Sequence, residues 1–117
     1  MEIELKNGIA VVKDGEPVIV DVQSALDLIA TVRYEYGASC IAIAKSAVVD
    51  RFFQLSTGVC GEILQKFSNY GARLAIIGDF SGYTSKPLQD FIRECNRGNA
   101  VFFVATEEEA VKNCRRW

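Results

Sequence analysis

Apolar residues recur along this chain with two alternating periods, that of strands and that of helices. Ile3 and Leu5, then Ile9 and Val11 beyond Asn7-Gly8, follow the strand period, and Asn-Gly favours a tight hairpin because both central residues accept positive φ. The chain is therefore expected to open with a hairpin. Asp14-Gly15 marks a second turn, and Pro17-Val18-Ile19-Val20 reads as an extended segment whose proline restricts it to an edge or a strand start. From Val22 the period becomes helical. Val22, Ala25, Leu26, Ile29 and Val32 share one face, Asp27 and Arg33 stay in water, Asp21 stands at the cap and Gly37 at the stop.

Cys40–Ala44, Arg73–Ile77 and residues 100–105 are short continuous apolar runs, as expected of strands buried on both faces of a parallel sheet. Between the first two lies a link carrying Val48, Val49, Phe52, Phe53 and Leu55, hydrophobic enough to be packed rather than exposed. A helix follows it with Val59, Cys60, Ile63, Leu64 and Phe67 on one face and Gly71 at its end, and Ser56-Thr57-Gly58 stands where a hydroxyl cap is expected. Gly61, one turn further on, is expected where this helix lies closest to the sheet, so that leucine there would overpack. A third helix begins at Thr84 or Ser85, tolerates Pro87 in its first turn, buries Leu88, Phe91, Ile92 and Cys95, and stops at Gly98. Thr106 and Glu109 form the signature of a capping box for a last helix carrying Ala110, Val111, Cys114 and Trp117. The resulting order, β-β-α-β-α-β-α-β-α, predicts one α/β domain over residues 1–117 with a small mixed, mostly parallel sheet.

Composition narrows the classes of function. Thirteen Lys and Arg against fifteen Asp and Glu leave a net charge of −2, with no like-charge run longer than Glu107-Glu108-Glu109, so a nucleic-acid or anionic-membrane partner is not expected. The apolar runs fall far short of the ~20 residues of a membrane-spanning helix, and Met-Glu-Ile-Glu lacks the basic start of a secretory signal. A cytoplasmic location is expected. Cys40, Cys60, Cys95 and Cys114 are widely spread without a C-x-x-C pair, which favours reduced thiols in the core. The chain has no histidine, which removes Ser-His-Asp and Cys-His catalysis and the usual His-containing zinc sites. No metal, cofactor or enzymatic activity is expected.

In open α/β sheets ligands gather at the carboxyl ends of the strands, which here lead to Thr57, Ser85 and Thr106. Free N–H groups around Gly58 and Gly61, with the helix dipole, suit an anion or a phosphorylated hydroxyl, while simple capping explains the same residues. No P-loop or dinucleotide fingerprint is present. Asp50, Glu62 and Asp79 are the acids able to converge near that helix start, with a turn-capping role for Asp79 the competing account. The alternative is a small-ligand binder or modest enzyme whose pocket, between the loop at 79–84 and the Thr57 helix start, would use Asp50, Glu62, Tyr83 and Lys86 as polar contacts, with Tyr83 serving equally as a lid over the core and Lys86 as a solvated surface charge.

The order of elements, with FFQLSTGVCGEILQKFSNYGARLAIIGDF, resembles the STAS domains of anti-sigma-factor antagonists and of the cytosolic tails of sulphate transporters. Those antagonists carry an Asp-Ser-Ser/Thr-Gly motif at the start of their second helix, with a phosphorylatable hydroxyl that switches binding to a partner kinase. Its hydroxyls and glycine fall on Ser56, Thr57 and Gly58, and its acid is replaced by Leu55. The resemblance implies a STAS-like fold and a regulatory, protein-binding role centred on Thr57, with association between copies of the chain left open. DVQSALDLIA, STGVCGEILQKFSNYGARLAIIGDFSGYTSKPLQDFI and NAVFFVA further resemble an uncharacterised family of small bacterial domains of unknown function.

Overall fold

In a computed structural model, which describes residues 2–13, 16–98 and 100–114, the hairpin forms where Asn7-Gly8 places it. β1 (Ile3–Lys6) and β2 (Ile9–Val12) pair antiparallel, joined through Asn7 at φ 53° and Gly8 at φ 80°. Two successive positive φ angles give the turn a twist that matches the strands. The second turn at Asp14-Gly15 and the placement of Trp117 lie outside the described residues.

β3 (Cys40–Ala44), β4 (Arg73–Ile77) and β5 (Val101–Val104) then add parallel to β2, giving a five-stranded sheet in the order β1-β2-β3-β4-β5. Because each parallel strand is added on the same side of the last, right-handed crossovers bring their helices to one face. Those helices are α1 (Val22–Tyr36), α2 (Val59–Asn69) and α3 (Lys86–Arg97). Their buried residues, among them Leu28, Val32, Ile63, Phe67 and Leu88, pack with Ile41, Ile43, Leu74 and Ile76 in the larger core. The intervening strand residues Cys40, Ala42 and Ala75 point the other way, joining Ile9, Val11, Phe102 and Val104 beneath α4 (Glu107–Cys114). With both faces covered, β3 and, after Arg73, β4 read as continuous apolar runs.

Local signals place most helix ends. Asp21 caps α1 by accepting from the Ser24 N–H at 2.8 Å, and Ser24 Oγ accepts from the Asp21 N–H at 3.0 Å, completing a capping box. Leu28 takes a core position on α1, whereas Val22 and Leu26 are only partly buried. Ser85 caps α3 and Thr106 accepts from the Glu109 N–H at 3.1 Å. The link after β3 is packed as its composition predicts, winding through three short 3₁₀ turns with Phe52 and Phe53 buried.

The Pro17–Val20 segment lies outside the five strands, where Ile19 forms an isolated parallel bridge with Val48 and bonds the link through Ala47 and Val49. Two expectations are overturned. Gly61 faces solvent, and a Cβ built on it would meet nothing within 4 Å. Cys60, Ile63 and Phe67 define the buried face of α2, and the ~100° helical step from Cys60 turns Gly61 away from it. Finally, Cys40 and Cys114 are not reduced thiols but form a disulfide across 74 residues of sequence, with Cα atoms 6.1 Å apart. Cys114 lies one turn beyond Ala110 on the face of α4 that meets the sheet, directly where Cys40 projects.

Candidate functional site

The carboxyl ends of β3 and β4 open into the 3₁₀ link and the loop before α3, and the two enclose a cleft of about 800 Å³. Asp50, Phe53 and Ser56 line one wall, and Tyr83, Ser85 and Leu88 belong to the other. Phe53 and Tyr83 stack with centroids 5.4 Å apart and planes at 21°, and Phe80 lies 6.2 Å from Tyr83. The aromatic link thus meets the loop in a continuous hydrophobic contact. Lys45, the first residue past β3, sets its Nζ 4.4 Å from the Tyr83 ring and donates to the Asp79 carbonyl at 3.0 Å. A side chain at position 78 would crowd this arrangement, since a Cβ there would stand 2.7 Å from Lys45 Cβ. Lys45 is not among the residues expected from the sequence, although a lysine ending an apolar strand is itself the signal of a charge delivered to the strand end.

At the entrance to α2, the chain passes from a 3₁₀ turn (Leu55–Thr57) through Gly58, whose φ of 75° lets the turn redirect into the helix. Gly58 itself occupies the cap position, and the hydroxyl cap expected there is absent. Thr57 instead holds the turn from within. Its hydroxyl lies 2.8 Å from the Gln54 carbonyl and 3.0 Å from the Arg51 carbonyl, to which it donates, and accepts from the Val59 N–H at 3.3 Å. Ser56 is exposed at the cleft edge.

Of the sequence-predicted site residues, Asp50, Ser56 and Tyr83 share the cleft, with Thr57 and Gly58 adjoining Ser56 along the chain. The three acids are not assembled into a metal site. Glu62 is exposed on α2, and Asp79 faces a separate hollow with Phe80, Phe103 and Glu109. Asp79 caps its own turn, accepting from Ser81 Oγ at 2.6 Å and the Ser81 N–H at 2.9 Å, and these bonds hold its carboxyl below the usual carboxylate range. Lys86 pairs with Asp90 at 3.2 Å on the exposed side of α3. Among the described residues no group of three or more His, Cys, Asp or Glu is placed to hold a metal ion. Burial pushes the Cys60 thiol up to about 12 and that of Cys95 up to about 11, so neither supplies a thiolate at neutral pH.

This sheet order, with three helices on one face and a Ser-Thr-Gly entry into the second, defines a STAS-like α/β domain. Its backbone is similar to the crystal structure of a candidate anti-sigma factor antagonist from Thermotoga maritima, with a TM-score of 0.52 over 98% of this chain and 94% of that one, at 19% identity. The chain belongs to the DUF4180 family, a domain of unknown function whose model matches residues 5–114. No curated protein matches it in sequence. No helix among the described residues is long and apolar enough to cross a membrane.

Proposed function

We propose that this domain is a non-enzymatic regulatory module of the cytosol that binds a protein partner through the rim formed by Ser56, Thr57 and Gly58 and the adjoining cleft. The observation that carries the reading is the exposed Ser56 beside Asp50 and Tyr83 at the carboxyl ends of the strands. Phosphorylation at Ser56 would place close to two negative charges at the cleft mouth without breaking a bond of the fold. At Thr57 it would break the ties to Gln54 and Arg51, loosening the turn that leads into α2. Either event changes the surface a partner meets, through charge at one residue and through shape at the other. The candidate antagonist from Thermotoga maritima supports a regulatory role through its fold alone. Incubation of the chain with cell extract and ATP, followed by mass spectrometry, is expected to find phosphate at Ser56 or Thr57, and Ser56→Glu to alter partner binding. If neither residue is ever modified and Ser56→Glu binds partners as the wild type does, the switch is dropped.

The stacked Phe53–Tyr83 pair beside Asp50 favours a second reading, a small-ligand site in the same cleft. A thermal-shift screen against nucleotides, phosphates and metal ions separates the two, because a ligand that binds only the folded state raises the melting temperature. A shift abolished by Tyr83→Ala would support the ligand site, and no shift with any compound would remove it.

A further inference from the structure

We propose that Cys40 and Cys114 form a redox latch that fastens α4 to the second face of the sheet and is opened and closed by thiol–disulfide exchange with small disulfides and dithiols. The forces that hold α4 without the bridge are weak. It has 8 residues, against the ~12–15 an isolated helix needs to persist in water. Its apolar anchors are small: Ala110 and Cys114 are buried and Val111 is partly buried. Glu107, at the start of the helix, pairs with Lys6 at 2.9 Å and Lys13 at 3.5 Å, but these side chains are about a third exposed and such pairs contribute little. At the other end, Arg73 Nη1 donates to the Cys114 carbonyl at 2.8 Å, and the bridge to β3 supplies the covalent tie.

The face beneath the helix carries Ile9, Val11, Ala42, Phe102 and Val104. Lifting α4 therefore uncovers a largely aliphatic surface on the face of the sheet opposite the larger core. Cys60 and Cys95 lie in or against the opposite core, so neither is within the layer that α4 covers.

Closing balances as a two-electron exchange. One thiolate of the pair attacks a low-molecular-weight disulfide such as oxidised glutathione, releasing one glutathione and forming a mixed disulfide; the second cysteine then displaces the other glutathione. The two cysteines lose two electrons and two protons, and one oxidised glutathione becomes two reduced ones. Opening runs the reverse sequence with a dithiol. Cys40 and Cys114 are 6% and 5% exposed, so an external thiolate reaches either sulfur only through local opening around the bridge.

The test is hydrogen exchange by mass spectrometry on the full chain, poised with oxidised or reduced glutathione, alongside alkylation mapping of the four cysteines. Under oxidising poise Cys40 and Cys114 are expected to be linked while Cys60 and Cys95 alkylate on unfolding. Reduction is expected to speed exchange across residues 107–114 by about tenfold or more beyond any change it causes in α2. Cys114→Ala should exchange at the reduced rate under both conditions. The proposal is overturned if the pair alkylates as free thiols under oxidised glutathione, or if α4 exchanges equally in both states. It is also overturned if reduction accelerates α1, α2 and α4 by the same factor, because the bridge is then only a staple for the whole fold. Reduction of the wild type alone gives this readout should the alanine variant fail to fold.

Discussion

Gly61 and Thr57 sit within five residues of each other at the entrance to α2 and illustrate how far a residue's type can mislead about its job. A glycine near a helix start reads as a close-packing position, yet Gly61 has open space where its side chain would be. Its backbone is ordinary helix, so glycine there only adds freedom to the unfolded chain. Gly61→Ala is expected to stabilise the domain by about 0.4–1 kcal/mol in urea unfolding, and Gly61→Leu to be tolerated rather than overpacked. Lower midpoints for both variants would mean that α2 is rotated from the orientation described. Thr57 reverses the lesson, since its hydroxyl secures the preceding turn instead of capping the helix. Thr57→Val keeps the shape, loses those bonds and should cost about 0.5–1.5 kcal/mol, whereas Ser56→Ala should leave the urea midpoint unchanged. Equal effects at the two positions would contradict the division of labour between them.

At the scale of elements, the two sheet edges are treated differently. β1 is short and carries Glu4 and Lys6, charges that discourage pairing with another chain. β5 is wholly buried and apolar, and its outer side is closed by a side chain: Asn96 of α3 donates to the Phe103 carbonyl at 3.2 Å and accepts from the Phe103 N–H at 2.8 Å. One amide thus pairs both backbone groups, as a neighbouring strand would. Asn96→Ala removes both bonds but favours the helix slightly, so the net loss is expected to be about 1–2 kcal/mol. Thermal unfolding with light scattering is the measurement, and aggregation should begin at lower temperature than in the wild type. An unchanged melting temperature with no added scattering would show that the β5 edge needs no cover.

Across the whole molecule, the order of elements was legible because each strand and helix carries its own period and its own stop, from Asn7-Gly8 to Gly37 and Gly98. Ser56, Asp50 and Tyr83 could be placed near one cleft because strand ends converge in a parallel sheet. What could not be read depended on separation in sequence. Nothing near Cys40 announces Cys114, and no local pattern links Lys45 to Tyr83 or Asn96 to the edge of β5. The bridge also bears on stability. In the chain-entropy account, closing a loop of this length restricts the unfolded state by about 4 kcal/mol, an upper figure because native strain and residual unfolded structure reduce it. Reduction is therefore expected to lower the unfolding free energy by about 2–4 kcal/mol in urea. The larger core of α1, α2 and α3 does not involve the bridge, so the reduced chain should still unfold cooperatively, only at a lower midpoint. Matching urea midpoints with and without dithiothreitol, with the oxidised sample confirmed to contain the Cys40–Cys114 link, would show that the bridge adds nothing to the folded state.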